Sequence, residues 1–334
     1  MIFLLDGREV ARFSEPPYRF TVEVGQDNVE HRYDVIARTA SGAEGRAGRI
    51  TPPIRVDEQL DLELQQLYVT VRRDGRRIGD LAATNFEVID NGGRQELVTF
   101  ETGDVPFTAA ILVDASASMA GDRLRLAVSG AERFVDSMKD LDEASLMLFS
   151  DRLLWSTPFT GDSGPLRQAL ESVTARGGTA LNDHLYVALK RLEARQGRRV
   201  VILLTDGIDI ESALAMEDVL WMARRSQALI YWIRLVEETG SNIARFSSWR
   251  DPGQHRREIE LLEQAVRESG GRTLPIERLE QAAGVFQGIL DELRNQYVLG
   301  YYPIVNTNDG SWHRVEVRVP GGVELRTRLG YIDF

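Results

Sequence analysis

The sequence of 334 residues contains no cysteine, which excludes disulfides, zinc–thiolate sites and cysteine nucleophiles. Lysine is nearly absent as well, with Lys139 and Lys190 as the only two among 40 basic residues. The formal net charge of −11 gives a nucleic-acid-binding role little electrostatic support. No run approaches the ~20 apolar residues that a transmembrane helix needs. What is present is the composition of an ordinary globular protein, long enough for two or three domains.

Residues 1–52 alternate like short strands separated by turn signals such as Asp6-Gly7 and Pro16-Pro17. This pattern predicts a partial β-sandwich and resembles part of a bacterial Ig-like repeat. The opening MIFLLDGRE reads as the middle of a strand and lacks the charged segment of a signal peptide. We therefore expect the natural protein to begin further upstream.

Two further β-rich segments, residues 53–104 and 282–334, flank the centre of the chain. In the first, Asp74-Gly75 and Asn91-Gly92 are typical of tight hairpin turns, and turn chemistry explains them without a ligand-binding role. The second has a helix and three candidate strands, which are too few for a domain of their own. We predict that the two segments complete one Ig-like β-sandwich with the central domain inserted between them.

The central residues 105–281 alternate between continuous apolar runs and helical segments. Such runs suit strands buried on both faces of a parallel sheet, and they lie at 107–113, 145–149, 200–204 and 228–236. The predicted helices lie near 122–139, 164–175, 180–196, 211–226, 256–269 and 277–296, the last of them crossing the predicted boundary. The alternation predicts an α/β fold with a doubly wound, mostly parallel sheet.

Five oxygen-bearing side chains follow the ends of the predicted strands. Asp114 ends the first apolar run, and Ser116 and Ser118 follow it at every second position. Thr179 lies in a loop at the start of a helix, and Asp206 ends the run VVILLTD. Since ligands bind outside the carboxyl ends of parallel strands, we expect the five side chains to converge if the two strands are neighbours. Carboxylate and hydroxyl oxygens suit a hard cation such as Mg²⁺.

These motifs resemble the von Willebrand factor A (VWA) domain, which has the integrin I-domain fold. Its metal-ion-dependent adhesion site has the pattern Asp-x-Ser-x-Ser, then Thr, then Asp, which the five residues match in order. More narrowly, residues 57–334 resemble a bacterial VWA-related family described from acidobacteria, through NFEVIDNGGRQELVTFE, QYVLGYYP and RLGY. Ala117 stands where a glycine is common. We expect it to tune the site rather than abolish it, although an alanine at positive φ would be strained.

The resemblance implies a binding protein and not an enzyme. Asp114, Ser116 and Ser118 would hold Mg²⁺, with Mn²⁺ or Ca²⁺ as alternatives, and Thr179 and Asp206 would act directly or through water. A partner protein would supply an Asp or Glu carboxylate to the open position. We expect a secreted or cell-envelope protein whose export signal lies outside this sequence, with a cytoplasmic location as the alternative.

Two other functions stay open. The flanking β segments are compatible with a structural or assembly protein of the envelope whose site is used intramolecularly. A metal-assisted hydrolase has only the strand-end Asp114 in its favour. Separately, GDSGPL at 161–166 resembles a serine-protease motif but is better explained as a helix start. The polar segment 237–257 is long for a loop, and it is a candidate partner surface or tether.

Overall fold

A computed structural model describes residues 1–24, 29–51, 64–171, 173–236, 252–277, 279–305 and 308–333. Most of the segment 237–257 lies outside the described residues, apart from 252–257, which begin a helix. The chain divides into two units, Met1–Asp61 and Leu62–Phe334. In the described parts, no helix is long and apolar enough to cross a membrane.

The first unit contains one antiparallel sheet with the strand order β2-β1-β3-β4. Its strands are β1 (Ile2–Leu5), β2 (Arg8–Arg12), β3 (His31–Arg38) and β4 (Glu44–Thr51). The aromatic rings of Phe3, Phe13 and Phe20 pack together, with centroids 5.0–6.0 Å apart. These four strands and the aromatic contacts are what the structure describes of this unit, and its Ig-like character stays a prediction.

The second unit begins with short strands, continues as an α/β region and ends with strands again. The opening strands are β5 (Gln65–Arg73), β6 (Arg76–Arg77), β7 (Glu87–Asp90), β8 (Gly93–Gln95) and β9 (Thr99–Thr102). The central strands are β10 (Phe107–Asp114), β11 (Glu143–Phe149), β12 (Leu153–Ser156), β13 (Arg198–Thr205), β14 (Leu229–Leu235) and β15 (Arg272–Ile276). The closing strands are β16 (Tyr297–Tyr301), β17 (Trp312–Arg318), β18 (Glu324–Arg326) and β19 (Gly330–Ile332).

The central strands form one six-stranded sheet in the order β12-β11-β10-β13-β14-β15. All neighbours are parallel except the edge strand β12, which is antiparallel to β11. Every residue of β10 is buried, as expected for a central strand covered on both faces. The α/β fold and the mostly parallel sheet are therefore as predicted.

Six helices cover the two faces of this sheet in the part of the chain that the structure describes. They are α1 (Asp122–Asp136), α2 (Ser163–Glu171), α3 (Leu181–Glu193), α4 (Met216–Ser226), α5 (Pro252–Glu268) and α6 (Leu279–Leu293). Helices α1, α2 and α6 share an apolar cluster with Ala109, Ile111 and Val113 of β10. Helices α3, α4 and α5 pack with the intervening Ala110 and Leu112. The period of two along a strand thus sends alternate side chains into two separate cores.

Three details differ from the sequence-based expectations. Strands β12 and β15 were not anticipated, and α4 begins at Met216 instead of near 211. The boundary that we placed at 281 falls inside α6. Phe286 and Ile289 of this helix are buried in the core of the α/β region, so α6 belongs to the packing of that region.

The opening and closing strands pair with each other in two sheets, ordered β18-β5-β16-β9 and β19-β17-β7-β8, with β6 as the hairpin partner of β5. Side chains from both sheets share one apolar cluster, which includes Leu67, Val88, Leu299 and Val315. We call residues 64–102 and 297–333 the two-sheet region. Its Ig-like classification stays a prediction.

The two-sheet region adjoins the amino end of the parallel sheet. Arg198 is the first residue of β13 and is 1% exposed. Its guanidinium lies 4.7 Å from the ring centroid of Tyr68 in β5 and donates to the carbonyl of Leu293 at the end of α6. The carboxyl end of the sheet, where the five predicted site residues lie, is therefore the opposite end of this unit.

Candidate metal site

Asp114 is the last residue of β10, and its side chain is held from two sides. Its Oδ1 accepts a hydrogen bond from the backbone N–H of Ser116 at 2.8 Å. Its Oδ2 accepts a second hydrogen bond, at 2.7 Å, from the hydroxyl of Thr205. Thr205 is the last residue of the neighbouring strand β13. The residue is completely buried. The parallel pairing of β10 with β13 therefore fixes one carboxylate at the edge of the sheet.

The two serines lie in a short 3-10 turn that follows Asp114. Ser116 precedes the turn of residues 117–119, and its hydroxyl lies 3.1 Å from that of Ser118. Ser116 is buried, whereas Ser118 is half-buried. Ala117 lies within this turn and does not adopt positive φ, so the strain considered for an alanine here is absent. The two hydroxyls thus lie together in the turn that directly follows Asp114.

Backbone hydrogen bonds bring the Thr179 loop to this turn. The N–H of Ala117 donates to the carbonyl of Gly177 at 3.0 Å, and the N–H of Arg176 donates to that of Ala115 at 2.9 Å. Thr179 is 2% exposed, and its carbonyl accepts the N–H groups of residues 210 and 211, each at 2.9 Å. The loop before α3 is therefore tied to the loops that follow both β10 and β13.

Asp206 comes directly after β13, and its side chain is 9% exposed. The pKa of Asp114 is raised to about 7, mainly because the side chain is buried and also because the negative charge of Asp206 lies close to it. Arg123 in the first turn of α1 lies nearby, with Nη1 4.0 Å from Asp206 Oδ2. The same Nη1 donates to the carbonyl of Ser118 at 2.9 Å. The structure thus brings the predicted loops together around two neighbouring carboxylates.

Two residues of this arrangement escaped the sequence analysis. Thr205 orients Asp114, and Arg123 bridges the serine turn and Asp206. Thr205 could have been found, because it precedes Asp206 directly in LLTD. Arg123 carried no such signal, since its position depends on how α1 packs against the loop after β13.

Neighbouring acidic residues serve the backbone instead of the candidate site. Asp209 Oδ2 accepts the N–H of Asn182 at 2.8 Å, at the start of α3. Asp183 accepts the N–H groups of residues 213 and 214 at 3.0 and 2.8 Å. In GDSGPL, Asp162 accepts the N–H of Gly164 at 2.9 Å as α2 begins. These carboxylates and the protease-like motif are therefore explained by helix starts and loop closure.

The donor set fits a hard divalent cation. Two carboxylates and three hydroxyls offer oxygen atoms of the kind that Mg²⁺ prefers. Within the described residues no three His, Asp or Glu side chains cluster as metal ligands. A site here would therefore rest on Asp114, Asp206 and the hydroxyl groups. The buried, mutually repelling carboxylates are the structural feature that a bound cation would relieve.

Comparison with known proteins identifies the central region. The family model of the von Willebrand factor type A domain matches residues 109–208, a stretch that includes all five candidate residues. The chain contains a VWA domain. The match leaves the two-sheet region and the first unit outside it. The narrower bacterial family stays a prediction.

Other comparisons place the chain beside proteins that it resembles only in part. An uncharacterized protein of Synechocystis sp. is 27% identical over 107 residues, 31% of this chain and 26% of that protein. The chain thus matches about a quarter of this curated relative. The solved VWA protein of Catenulispora acidiphila has a TM-score of 0.44 and 14% identity, covering 78% of this chain and 75% of its own.

Two further solved structures are similar over about half of the chain. An aerotolerance-related membrane protein of Bacteroides fragilis has a TM-score of 0.42 and 20% identity, covering 57% of this chain and 98% of its own. The vWF domain of the type V pili tip protein Mfa5 of Porphyromonas gingivalis has a TM-score of 0.43 and 13% identity, covering 56% and 95%.

Proposed function

We propose that the VWA domain is a divalent-metal-dependent protein-binding module that takes a carboxylate from a partner protein. Asp114, Ser116 and Ser118 would hold Mg²⁺ directly, and Thr179 and Asp206 would act directly or through water. Bound there, the cation would supply a Lewis-acidic position for an incoming carboxylate. The proposal is one of binding and not of chemical turnover.

The main support for this proposal is the environment of Asp114, which is buried and lies close to the carboxylate of Asp206. A fully buried carboxylate next to a second carboxylate is an unfavourable arrangement unless a cation neutralises it. Its two hydrogen bonds, from Ser116 and Thr205, orient the side chain without neutralising its charge. Hydroxyl groups complete the donor set and add no further negative charge. Such a site would keep affinity for an anionic ligand.

The protein's own residues would each have a simple task. Thr205 and the N–H of Ser116 hold the Asp114 carboxylate in place. The Ala117 N–H bond to Gly177 keeps the Thr179 loop against the serine turn. Arg123 balances part of the charge of Asp206. All of these contacts are made by the chain's own residues, which would therefore hold the site in place.

Thermal unfolding tests the proposal. Millimolar Mg²⁺ is expected to raise the Tm of the wild-type protein above its value in EDTA, and to leave the Tm of Asp114→Ala unchanged. Specific binding at a hundredfold excess over Kd stabilises the native state by about 2.7 kcal/mol. Asp183→Ala is the matched control, because Asp183 bonds the backbone near the same edge of the sheet. A Tm that does not respond to Mg²⁺ in the wild-type protein would refute the metal site.

The secreted or cell-envelope location remains part of this proposal. It would place the domain beside partner proteins outside the cytoplasm, and localisation of the tagged full-length protein checks it. Recovery of that protein in the cytoplasmic fraction alone would contradict it.

A further inference from the structure

Three hairpin tips in the described residues share one turn geometry, but the first side chain of each turn differs in its hydrogen bonding. Asp6-Gly7, Asp74-Gly75 and Asn91-Gly92 all have positive φ at both positions, as two-residue type I′ turns require. Asp6 accepts the N–H of Arg32 at 2.7 Å, and Asn91 accepts that of Arg314 at 2.9 Å. Asp74 has no such partner within the described residues. The turn therefore explains the backbone conformation of Asp74 but gives its carboxylate no hydrogen-bonding role within the described residues.

This carboxylate stands at the tip of a strongly basic hairpin. The sequence RRDGRR at 72–77 places four arginines around one aspartate, in a chain whose net charge is −11. Arg73, Asp74 and Arg76 are exposed, and a side chain added at Gly75 would meet no atom within 4 Å. In the described parts of the chain, Arg73 and Arg76 have no carboxylate partner. The tip thus presents a carboxylate and several guanidinium groups to a partner.

The candidate metal site presents the complementary charge. Asp151 and Glu211 flank the glycine pair that precedes Thr179. A Cβ on Gly177 would lie 2.6 Å from Asp151 Oδ1, and one on Gly178 would lie 2.9 Å from Glu211 Oε1. Both carboxylates are exposed, and Arg152 Nη1 lies 3.9 Å from Asp151 Oδ2. Arginines beside a docked carboxylate would therefore meet acidic groups at the rim of the site.

The basic tip and the candidate site lie at opposite ends of the second unit. Arg77, in the same hairpin, donates from Nη1 to the carbonyl of Asp291 at 2.9 Å, in the last turns of α6. The end of α6 lies at the amino end of the parallel sheet, because Leu293 accepts a hydrogen bond from Arg198. The site lies at the carboxyl end. A tip that reaches a metal site must accordingly reach that of another molecule.

We propose that a second copy of this chain is a partner of the metal site, and that Asp74 supplies the carboxylate. This inference rests on the proposed function, since it names the ligand of the same site. The contact is head-to-tail: the hairpin of one copy docks on the VWA domain of the next. Such heterologous contacts propagate into rings or filaments and do not close as a symmetric pair.

Sedimentation velocity of the full chain in Mg²⁺ and in EDTA tests the inference. The wild-type protein is expected to show concentration-dependent growth in mass with Mg²⁺ and to be monomeric in EDTA. Asp74→Asn is expected to abolish this growth, because Asn-Gly retains the type I′ turn while the charged carboxylate is lost. Asp80→Asn removes the same charge from the same exposed segment and is expected to associate like the wild-type protein.

Mixing two defective variants gives a sharper result. Asp74→Asn keeps the metal site, and Asp114→Ala keeps the basic tip, so neither is expected to associate alone. Their equimolar mixture is expected to form heterodimers that stop at two chains, because only one productive contact is left. Ser118→Ala replaces Asp114→Ala in the same mixture if the latter does not fold.

The outcomes separate this inference from the function on which it rests. If Mg²⁺ raises the Tm but the wild-type protein stays monomeric, the metal site stands and self-association is wrong. Equal association by Asp74→Asn and the wild-type protein would also overturn the role of Asp74. If Mg²⁺ does not change the Tm, the metal site and the head-to-tail contact fail together.

Discussion

Two buried aspartates lie at opposite ends of the parallel sheet, and their surroundings differ. Asp142 lies beside the start of β10 and is 1% exposed. Its carboxylate accepts the N–H groups of Phe107 and Lys139 at 3.2 and 2.8 Å, and it pairs with Arg294. Asp114, at the other end of β10, is fully buried and faces the charge of Asp206. A carboxylate with a structural role is thus neutralised by the chain itself, whereas the candidate ligand is not.

The largest expected effect comes from removing Asp142, the aspartate that is paired with an arginine. Asp142→Ala leaves Arg294 with only the exposed Asp104 as a partner, and it leaves two backbone N–H groups without an acceptor. We expect the free energy of unfolding to fall by about 3 kcal/mol, equally in Mg²⁺ and in EDTA. Urea unfolding measures it. Asp136→Ala removes an exposed partner of Arg167 and should cost less than about 1 kcal/mol. A small or Mg²⁺-dependent loss at Asp142 would contradict the comparison.

The next effect concerns the unneutralised end. Asp114→Asn removes the repulsion with Asp206 while keeping the shape of the side chain, so we expect little loss of stability in EDTA. In Mg²⁺ the variant should lack the whole metal-dependent stabilisation, about 2.7 kcal/mol at a hundredfold excess over Kd. Paired urea titrations with and without Mg²⁺ give both numbers. If the variant lost several kcal/mol in EDTA, Asp114 would be a structural residue like Asp142.

A pH titration without metal sharpens the same contrast. The pKa of Asp114 is raised to about 7 in the folded protein, while an unfolded aspartate titrates near ~3.9. The folded state therefore holds a proton that the unfolded state has lost between these values. Consequently the free energy of unfolding should fall by roughly 1–2 kcal/mol as pH rises from about 4 to 7, once relaxation of the site is allowed for. Above pH 7 it should level off.

Urea unfolding in EDTA at pH 5 and pH 8 measures this term. Asp114→Asn should show a smaller loss than the wild-type protein, since the asparagine does not titrate. Equal pH dependence in both proteins would show that Asp114 is not the group responsible.

Much of the α/β region could be predicted because its strands are buried on both faces. Each of β10, β11, β13 and β14 produces a continuous apolar run, and such runs predict a parallel sheet. The edge strands could not be predicted in this way. Strand β12 reads LLWS with mostly exposed side chains, and β15 contains a proline, which sheets tolerate at an edge. Edge strands need no continuous apolar run, and whether a strand lies at an edge depends on the tertiary fold.

The candidate site shows the same division between local and tertiary information. The loops of Asp114, Thr179 and Asp206 follow strands or precede a helix, so their convergence could be predicted from sequence. The start of α4 could not, because residues 209–214 bond the first turn of α3 instead of continuing a helix. Arg123 likewise reaches Asp206 through helix packing alone. That the five residues ligate a metal stays a prediction.

The smallest expected effect concerns Ala117. Because it lies in a 3-10 turn without positive φ, Ala117→Gly relieves no strain and adds backbone freedom to the unfolded chain. We expect a loss of about 0.5–1 kcal/mol and an unchanged Mg²⁺ response. Thermal unfolding with and without Mg²⁺ checks both. A glycine variant that binds Mg²⁺ much more tightly would show that the alanine does tune the site.

The most direct test of the metal site is a Mn²⁺ titration followed by electron paramagnetic resonance, which reports free Mn²⁺ and therefore counts bound ions. The wild-type protein should bind one Mn²⁺ per chain at this site, Mg²⁺ should displace it, and Asp114→Asn should lose that site. Binding of equal strength by the variant, or no binding by the wild-type protein at millimolar Mn²⁺, would contradict the assignment of Asp114 and its neighbours as a metal site.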